Sequence, residues 1–347
     1  MRAIVRTKYG PPEVLQPKEV EKPVPKDNEL LVKVHAASVN ALDWHMLRGK
    51  PVLVRLRFGL FRPKNRILGY DIAGRVEAVG KKVTQFKPGD EVFGGLGFGL
   101  GGFAEYACIA EDGFVALKPS GTTFEEAAAV PAAAFTALKG LRDKGHIQSG
   151  QKVLINGAAG GVGTFSVQIA KSFDTEVTGV CSSRNLELVR SIGADKVIDY
   201  TKEDFTRNGQ TYDLVLDNVG NRSVSDLVRT LNATGTCVIV GFTSIGHMLM
   251  QSILAWRVFH ATGRRILSAS SEKPKREDIQ FLKGLLESRK VVPTIDRQYP
   301  LEQLSDAMGY VETGHARAKV VITIQSGRVG RTPYLNHIEM KKREWQQ

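Results

Sequence analysis

The sequence predicts an α/β protein in which a β-rich domain is joined to a doubly wound parallel sheet. Three observations predict it. A glycine-rich loop follows an apolar strand and precedes an amphipathic helix, further short apolar strands alternate with helical segments, and the first 120 residues or so alternate in short apolar runs broken by proline and glycine. At 347 residues the chain is long enough for two domains.

The glycine-rich loop ends the segment K-V-L-I-N-G-A-A-G-G-V-G at residues 152–163. Small residues let backbone N–H groups approach phosphates closely, and the following helix presents its positive N-terminal end to an anion. The loop reads A-x-G-x-x-G and lacks the usual first glycine, so a plain strand-to-helix turn is the alternative. We predict that it binds a dinucleotide pyrophosphate through Ala159, Gly160, Gly161, Val162 and Gly163.

The next strand, Glu176–Val180, indicates which dinucleotide binds. It runs into Cys181-Ser182-Ser183-Arg184, where an NAD-specific fold usually carries an acid for the ribose hydroxyls. Ser182, Ser183 and Arg184 instead offer hydrogen-bond donors to a 2′-phosphate, which an acid would repel. The predicted cofactor is therefore NADP(H).

The later strands complete the predicted sheet and supply further cofactor contacts. They are Lys196–Tyr200, Asp213–Val219, Thr236–Phe242 and Arg264–Ala269. Ligands cross a parallel sheet at the carboxyl ends of its strands, so we expect Asn218, Val219, Gly241 and Phe242 to meet the ribose and nicotinamide. The last strand is apolar and would leave unpaired backbone groups, which predicts a homodimer built by its pairing with a second copy.

The β-rich domain is predicted to be discontinuous in sequence. Its first part covers residues 1–122, the cofactor domain covers 123–289, and residues 290–326 return to the first domain with a terminal strand at Ala318–Ile324. The basic tail, residues 327–347, is interpreted as a frayed or appended extension outside the fold. A helix is expected to begin after Thr123 as its cap, with Glu125 and Glu126 in the first turn and an alanine-rich stretch from Ala127 to Leu141, and to lead into the cofactor domain.

Composition excludes several classes of protein. No run of eighteen apolar residues occurs and the N-terminus is charged, so we expect no membrane partner and a cytoplasmic location. Three scattered cysteines argue against disulfides and a structural zinc. We interpret the net charge of +12 as spread along the chain, which makes nucleic-acid binding unlikely.

An ordered series of motifs resembles a known superfamily. They are S-V-N-A-L-D (38–43), G-Y-D-I-A-G-R-V-E-A-V-G (69–80), F-K-P-G-D-E-V-F-G (86–94), G-G-F-A-E-Y (101–106), A-A-A-V-P-A-A-A-F-T-A (127–137), A-A-G-G-V-G (158–163) and I-G-A-D-K-V-I-D-Y (192–200). Together they resemble the zinc-free, quinone oxidoreductase-like branch of the medium-chain dehydrogenase/reductase superfamily. The resemblance implies a GroES-like catalytic domain and a Rossmann domain, with the active site in the cleft between them.

The resemblance also bears on metal and reaction. Where zinc alcohol dehydrogenases of the superfamily carry cysteine and histidine ligands, this sequence has Asn40, Tyr70 with Asp71, and Ala132. No catalytic zinc is expected from such a set. Without a Lewis acid, hydride transfer to an electrophilic small molecule, a quinone or an α,β-unsaturated carbonyl, is favoured over oxidation of simple alcohols.

Five side chains receive roles by resemblance. Asn40 and Thr136 would line the nicotinamide pocket, Tyr200 would flank the adenosine phosphate, Asp43 would order the loop after Asn40, and His45 stands where many relatives carry a tyrosine and could supply a proton. The alternatives are a plain turn residue for Asn40, a bond into its own helix for Thr136, a general acid for Asp43, a strand cap for Tyr200 and a surface position for His45.

Two other functions stay open from the sequence. One is a zinc-free alcohol dehydrogenase or aldehyde reductase. The other is an NADPH-binding scaffold or nucleic-acid-binding protein with little turnover.

Overall fold

The computed structural model describes residues 1–241, 262–268 and 273–324. The predictions for Phe242, for Ala269 and for the tail from residue 327 lie outside the described residues.

Fifteen strands are present in the described ranges. They are β1 (Arg2–Val5), β2 (Gln16–Glu19), β3 (Glu29–Val39), β4 (Asp71–Val79), β5 (Glu91–Gly95), β6 (Tyr106–Ala110), β7 (Phe114–Leu117), β8 (Lys152–Asn156), β9 (Glu176–Cys181), β10 (Lys196–Asp199), β11 (Tyr212–Asp217), β12 (Leu231–Ile239), β13 (Arg265–Ser268), β14 (Ile295–Pro300) and β15 (Lys319–Thr323).

The α-helices of the same ranges are short. They are α1 (Ala41–Arg48), α2 (Leu53–Phe58), α3 (Phe124–Ala128), α4 (Pro131–Leu138), α5 (Gly161–Ser172), α6 (Leu186–Ser191), α7 (Val224–Arg229), α8 (Arg276–Glu287) and α9 (Leu304–Glu312). None of these helices is long and apolar enough to span a bilayer.

The doubly wound parallel sheet is confirmed. Its six strands are ordered β10-β9-β8-β11-β12-β13 and every pairing is parallel. Strand order reverses direction between β8 and β11, and ligands of such sheets bind at this switch point, outside the carboxyl ends of the strands. The glycine-rich loop follows β8 and therefore opens onto that edge.

The second sheet holds the β-rich domain together. Its order is β14-β15-β3-β4-β5-β7, with β6 also paired to β3. The eleven-residue β3 pairs with β4, β6 and β15 along its length. Because β15 pairs with β3, the last strand of the described residues lies in the same sheet as strands from the first part of the chain.

The expected helix does begin after the Thr123 cap, with Glu125 and Glu126 in its first turn. Its continuation to Leu141 is wrong, because the chain forms two helices, α3 and α4, followed by a π-helical turn at Lys139–Lys144. Pro131 stands at the first position of α4, where its missing N–H and fixed φ favour a helix start over continuation. These helices lie between the sheets, and one apolar core includes both Phe93 of β5 and Phe165 of α5.

Candidate active site

A cleft of about 550 Å³ lies between the two sheets. The parallel-sheet domain contributes the glycine-rich loop and the ends of β9 and β11, and the β-rich domain contributes the end of β3 and the start of β15. Predicted site residues that line it are Asn40, Ala159, Gly160, Gly161, Val162, Gly163, Ser182, Arg184, Tyr200, Asn218 and Val219.

At Gly163 the glycine-rich segment is packed too closely to accept a side chain. A Cβ on Gly163 would stand 2.0 Å from the carbonyl oxygen of Gly157, whereas one on Gly160 would have no neighbour nearer than 3.4 Å. The first turn of α5 leaves backbone N–H groups without helical acceptors, at the positive end of a twelve-residue helix. This arrangement fits a pyrophosphate.

Asn218 adds a second observation that fits a bound dinucleotide. Its Nδ2 donates to the carbonyl of Asn156 at 3.2 Å. Its Oδ1 is shielded from solvent and has no hydrogen-bond partner among the described residues, although Asn218 lines the cleft. A buried acceptor without a donor is costly, and a ligand hydroxyl would supply that donor.

Hydrogen-bond donors lie just after β9, where a 2′-phosphate is expected. Ser182 Oγ accepts from Asn185 Nδ2 at 3.2 Å, which leaves its own proton free to donate. Arg184 is exposed, and its one hydrogen bond to the described residues is a long contact, 3.4 Å, to the carbonyl of His315. Ser183 differs, because its hydroxyl donates to Asp199 at 2.5 Å, and it does not line the cleft.

The opposite end of the cleft carries a polar cluster centred on Asn40. Its Oδ1 accepts from Lys319 Nζ at 2.5 Å and its Nδ2 donates to Asp71 Oδ2 at 2.9 Å. A second, longer contact of 3.4 Å runs from Nδ2 to the carbonyl of Ser38. The amide orientation is therefore fixed by a cation on one side and a carboxylate on the other.

Asp71 and Lys319 form a buried ion pair with an Nζ–Oδ2 distance of 3.5 Å, and their side chains are 0% and 3% exposed. Asp71 also accepts from Ser38 Oγ at 2.6 Å and from the backbone N–H of Ala132 at 2.9 Å. Burial lowers the pKa of Lys319, against the opposing effect of Asp71 and Asp43.

Lys319 was missed by the sequence analysis. The detectable signal is a lysine at the start of the apolar strand K-V-V-I-T, a position where a charge is costly unless it is paired. Its aliphatic stem runs past the glycine-rich loop, with Cδ 3.4 Å from where a Cβ of Gly161 would be. One residue earlier, Ala318 N–H donates to the carbonyl of Ala159 at 2.8 Å, joining the two domains across the cleft.

Asp43 lies behind the cleft, fully buried, and organises the chain around Asn40. It accepts from the backbone N–H of Asn40 at 2.9 Å and from that of Gly69 at 3.2 Å. Burial raises the pKa of Asp43 to about 7, and the nearby Asp71 adds to the rise. Its position suits the ordering role expected from the sequence.

The structure does not bring three other predicted residues to the cleft lining. Thr136 Oγ1 donates to the carbonyl of Ala132 in its own helix at 2.7 Å. His45 stacks on Trp44 with ring centres 3.7 Å apart, its Nδ1 lies 3.1 Å from the carbonyl of Lys50, and burial lowers its pKa. Gly241 packs against the end of β11, where a Cβ would be 2.4 Å from the carbonyl of Asn218. Their functional roles stay predictions.

Three of the four residues that stand at the zinc-ligand positions of alcohol dehydrogenases meet at the carboxylate of Asp71. Asp71 accepts from Asn40 Nδ2 and from the backbone N–H of Ala132, and it pairs with the ammonium of Lys319. Among the residues that the structure describes, no cluster of three or more His, Cys, Asp or Glu could hold a metal.

Comparison with known proteins finds a family match for two segments of the chain. Residues 26–119 match the alcohol dehydrogenase GroES-like domain family, and residues 192–322 match a zinc-binding dehydrogenase family. The chain is 33% identical over 333 residues to a chloroplastic quinone-oxidoreductase homolog of Spinacia oleracea, covering 93% of this chain and 98% of that protein.

Two further relatives extend the comparison. The chain is 32% identical over 343 residues to an Arabidopsis thaliana NADPH-dependent alkenal/one oxidoreductase, covering 93% of this chain and 79% of that one. The structure of the quinone oxidoreductase from Coxiella burnetii superposes with a TM-score of 0.80 at 32% identity, covering 94% and 99% of the two chains. This chain therefore belongs to the quinone oxidoreductase-like branch of the medium-chain dehydrogenase/reductase superfamily.

Proposed function

We propose that this protein is an NADPH-dependent, zinc-independent reductase that transfers hydride to a quinone or an α,β-unsaturated carbonyl compound. The observation that carries the proposal is the pairing, within one cleft, of a dinucleotide loop with a polar cluster made of Asn40, Asp71 and Lys319. The names of the two plant relatives, a quinone-oxidoreductase homolog and an alkenal/one oxidoreductase, support the same substrate classes.

The cofactor, when bound, supplies the hydride, and the residues of the cluster handle the charge that develops on the acceptor. Hydride arrival at a quinone or enone places negative charge on a carbonyl oxygen, and preoriented donors beside that oxygen stabilise it. Lys319 carries a third N–H beyond its bonds to Asn40 and Asp71. We assign the oxyanion contact to Lys319 together with the weakly engaged second N–H of Asn40.

The Asn40 amide has fewer groups left to bind a ligand than we expected from the sequence. Both ends of its amide are bonded to protein, so it acts on the acceptor only through the N–H that makes the 3.4 Å contact to Ser38. In Asn40→Ala, turnover should fall more than NADPH affinity. An unchanged rate would contradict this assignment.

The substrate class is tested by a panel of quinones, enones, aldehydes and ethanol followed through NADPH absorbance. We expect acceptor reduction to be much faster than ethanol oxidation with NADP⁺, because no metal helps to deprotonate an alcohol. Elemental analysis of protein prepared without a metal-binding tag should show no stoichiometric zinc. Faster ethanol turnover would favour the zinc-free alcohol dehydrogenase instead, and absence of turnover would favour the scaffold.

Preference for NADPH is proposed to rest on Ser182 and Arg184. We expect NADPH to bind at least about tenfold more tightly than NADH, about 1.4 kcal/mol, and Arg184→Ala to remove most of that difference. Fluorescence titration of both cofactors measures it. Arg190→Ala, also exposed but outside the cleft lining, is the matched control. Equal loss of NADH affinity in Arg184→Ala would contradict the 2′-phosphate contact.

We also propose a homodimer and a cytoplasmic location. The first is supported by β13, which forms the edge of the described parallel sheet. The second rests on the sequence alone, and the names of the two plant relatives instead place those proteins in the chloroplast. Cell fractionation with an antibody against the native protein would decide the compartment.

A further inference from the structure

Half of the positive net charge lies in one short segment that the proposed reaction does not use. Residues 50–66, here named the basic loop, hold six lysines and arginines and no aspartate or glutamate, against a net charge of +12 for the whole chain. The cations are Lys50, Arg55, Arg57, Arg62, Lys64 and Arg66. The interpretation that positive charge is spread evenly along the chain is therefore wrong at this segment.

The basic loop also exposes apolar side chains. Val52, Leu56, Leu60 and Phe61 are 63%, 67%, 49% and 87% exposed. They make up four of the eleven large hydrophobic residues exposed in the described part of the chain, and all four fall within ten residues. Single exposed apolar residues are ordinary, but such a concentration marks an interaction surface.

The loop is held in place, so its exposed side chains belong to a formed surface. Tyr9 OH donates to the carbonyl of Gly59 at 2.7 Å, and the guanidinium of Arg55 stacks 4.8 Å above the Tyr9 ring. Lys64 N–H donates to the carbonyl of Phe58 at 2.8 Å, which closes a turn with Leu60 and Phe61 at its tip.

The cations at and around this tip are free to meet an anionic partner. Within the described residues, Lys50, Arg62, Lys64 and Arg66 form no ion pair with an acid. Arg62, Lys64 and Arg66 are exposed and follow Leu60 and Phe61 within five residues. Apolar side chains interleaved with unpaired cations complement a surface that is negatively charged outside and apolar a few ångström below.

We propose that the basic loop docks this protein on the surface of an anionic phospholipid bilayer, with Leu60 and Phe61 inserted at the headgroup level and Arg62, Lys64 and Arg66 on the lipid phosphates. A nucleic acid would use the cations but would gain little from exposed leucine and valine. The docking is peripheral and needs no spanning helix, and it stands independently of the proposed reaction. It departs from the expectation of no membrane partner, which rested on the absence of a long apolar run and does not bear on surface docking.

The basic loop is placed so that docking would bring the active-site cleft close to the bilayer. Helix α1 begins after Asn40 in the cleft and ends at Arg48, two residues before the basic loop. Its eight residues span about 12 Å. A bilayer at the loop would therefore lie near the Asn40 end of the cleft, where a lipophilic acceptor would enter.

The test is flotation of the full-length protein with phosphatidylcholine vesicles made with and without phosphatidylserine. We expect binding only to the phosphatidylserine vesicles, weakening as salt is added. Arg62→Glu with Lys64→Glu should reduce vesicle affinity at least tenfold, since each cation near such a surface contributes appreciably. Leu60→Ser with Phe61→Ser should also reduce affinity at least tenfold, including at low salt.

Two control variants test whether a loss of vesicle binding is specific to the basic loop. Lys81→Glu with Lys87→Glu makes the same charge change at exposed lysines elsewhere, and Val24→Ser removes a side chain that is 84% exposed outside the loop. Both controls should bind as the parent protein does. Thermal midpoint and NADPH affinity show that each loop variant is folded.

Three results would overturn the proposal. The first is no flotation of the parent protein with phosphatidylserine vesicles. The second is equal loss in the control variants, which would show a general charge effect. The third is a serine variant that floats normally while an added RNA homopolymer displaces the parent protein from vesicles, which would assign the cations to nucleic acid.

Discussion

Lys319 is the residue on which the polar end of the cleft depends, because it pairs with Asp71 and fixes the Asn40 amide at once. Removing one member of a buried ion pair leaves the other charge uncompensated, at about 3 kcal/mol or more. We expect Lys319→Met to lower the free energy of unfolding by about that amount, and adding Asp71→Asn to recover at least half of the loss. Chemical denaturation of the single and double variants measures both.

The same variants distinguish a catalytic role of Lys319 from a purely structural one. The double variant is expected to regain stability but not turnover, because the cation near the acceptor is still missing. Recovery of turnover together with stability would show that Lys319 only holds the fold.

Asp43 should make stability depend on pH. Its folded-state pKa of about 7 is above the model-compound value of 3.8, so the folded state keeps a proton that the unfolded chain has lost. The stabilisation is complete below the unfolded pKa and is lost as pH rises toward 7. Between pH 5 and 7 the free energy of unfolding should fall by about 2 kcal/mol more in the parent than in Asp43→Asn. Parallel pH curves from urea denaturation would contradict this.

At the scale of elements, the junction between the glycine-rich loop and α5 tolerates alanine at Gly160 but not at Gly163. A Cβ on Gly163 would lie 2.0 Å from one backbone atom and 2.8 Å from others, so the loop and helix would have to separate. We expect Gly163→Ala to cost about 2 kcal/mol or more of stability, in the range of overpacked sites. Gly160→Ala, at 3.4 Å from its nearest neighbour, should stay within about 0.5 kcal/mol. Thermal and urea unfolding of the two variants provide the comparison, and equal losses would contradict it.

At the scale of the whole molecule, the edge strand β13 predicts self-association. It pairs with β12 on one side, and an unpaired edge of a parallel sheet is satisfied by a symmetry mate. Light scattering should give a mass near twice the 38.0 kDa of one chain, and hydrogen exchange at β13 should slow as protein concentration rises. A single-chain mass at all concentrations would argue against the dimer.

The sequence by itself determined the two domain types, the glycine-rich loop and the donors at Ser182 and Arg184. These are local features, because strand-to-helix turns and short apolar runs are written in neighbouring residues. It did not reveal β2 or β14, since Gln16–Glu19 is exposed throughout and Ile295–Pro300 carries charges, so neither has a clear apolar alternation. It also passed over β7, an apolar run of only four residues.

Only the tertiary structure decided how the polar end of the cleft is built. Asn40 and Lys319 are 279 residues apart, and they meet because β15 pairs with β3 within one sheet. Likewise the sequence predicted roles for Thr136 and His45 in the site, but it could not show where their side chains point. The Thr136 hydroxyl donates to the carbonyl of Ala132, and the His45 ring stacks on Trp44 and contacts the carbonyl of Lys50. Side-chain direction and long-range pairing follow from how the two sheets pack, and no local pattern encodes them.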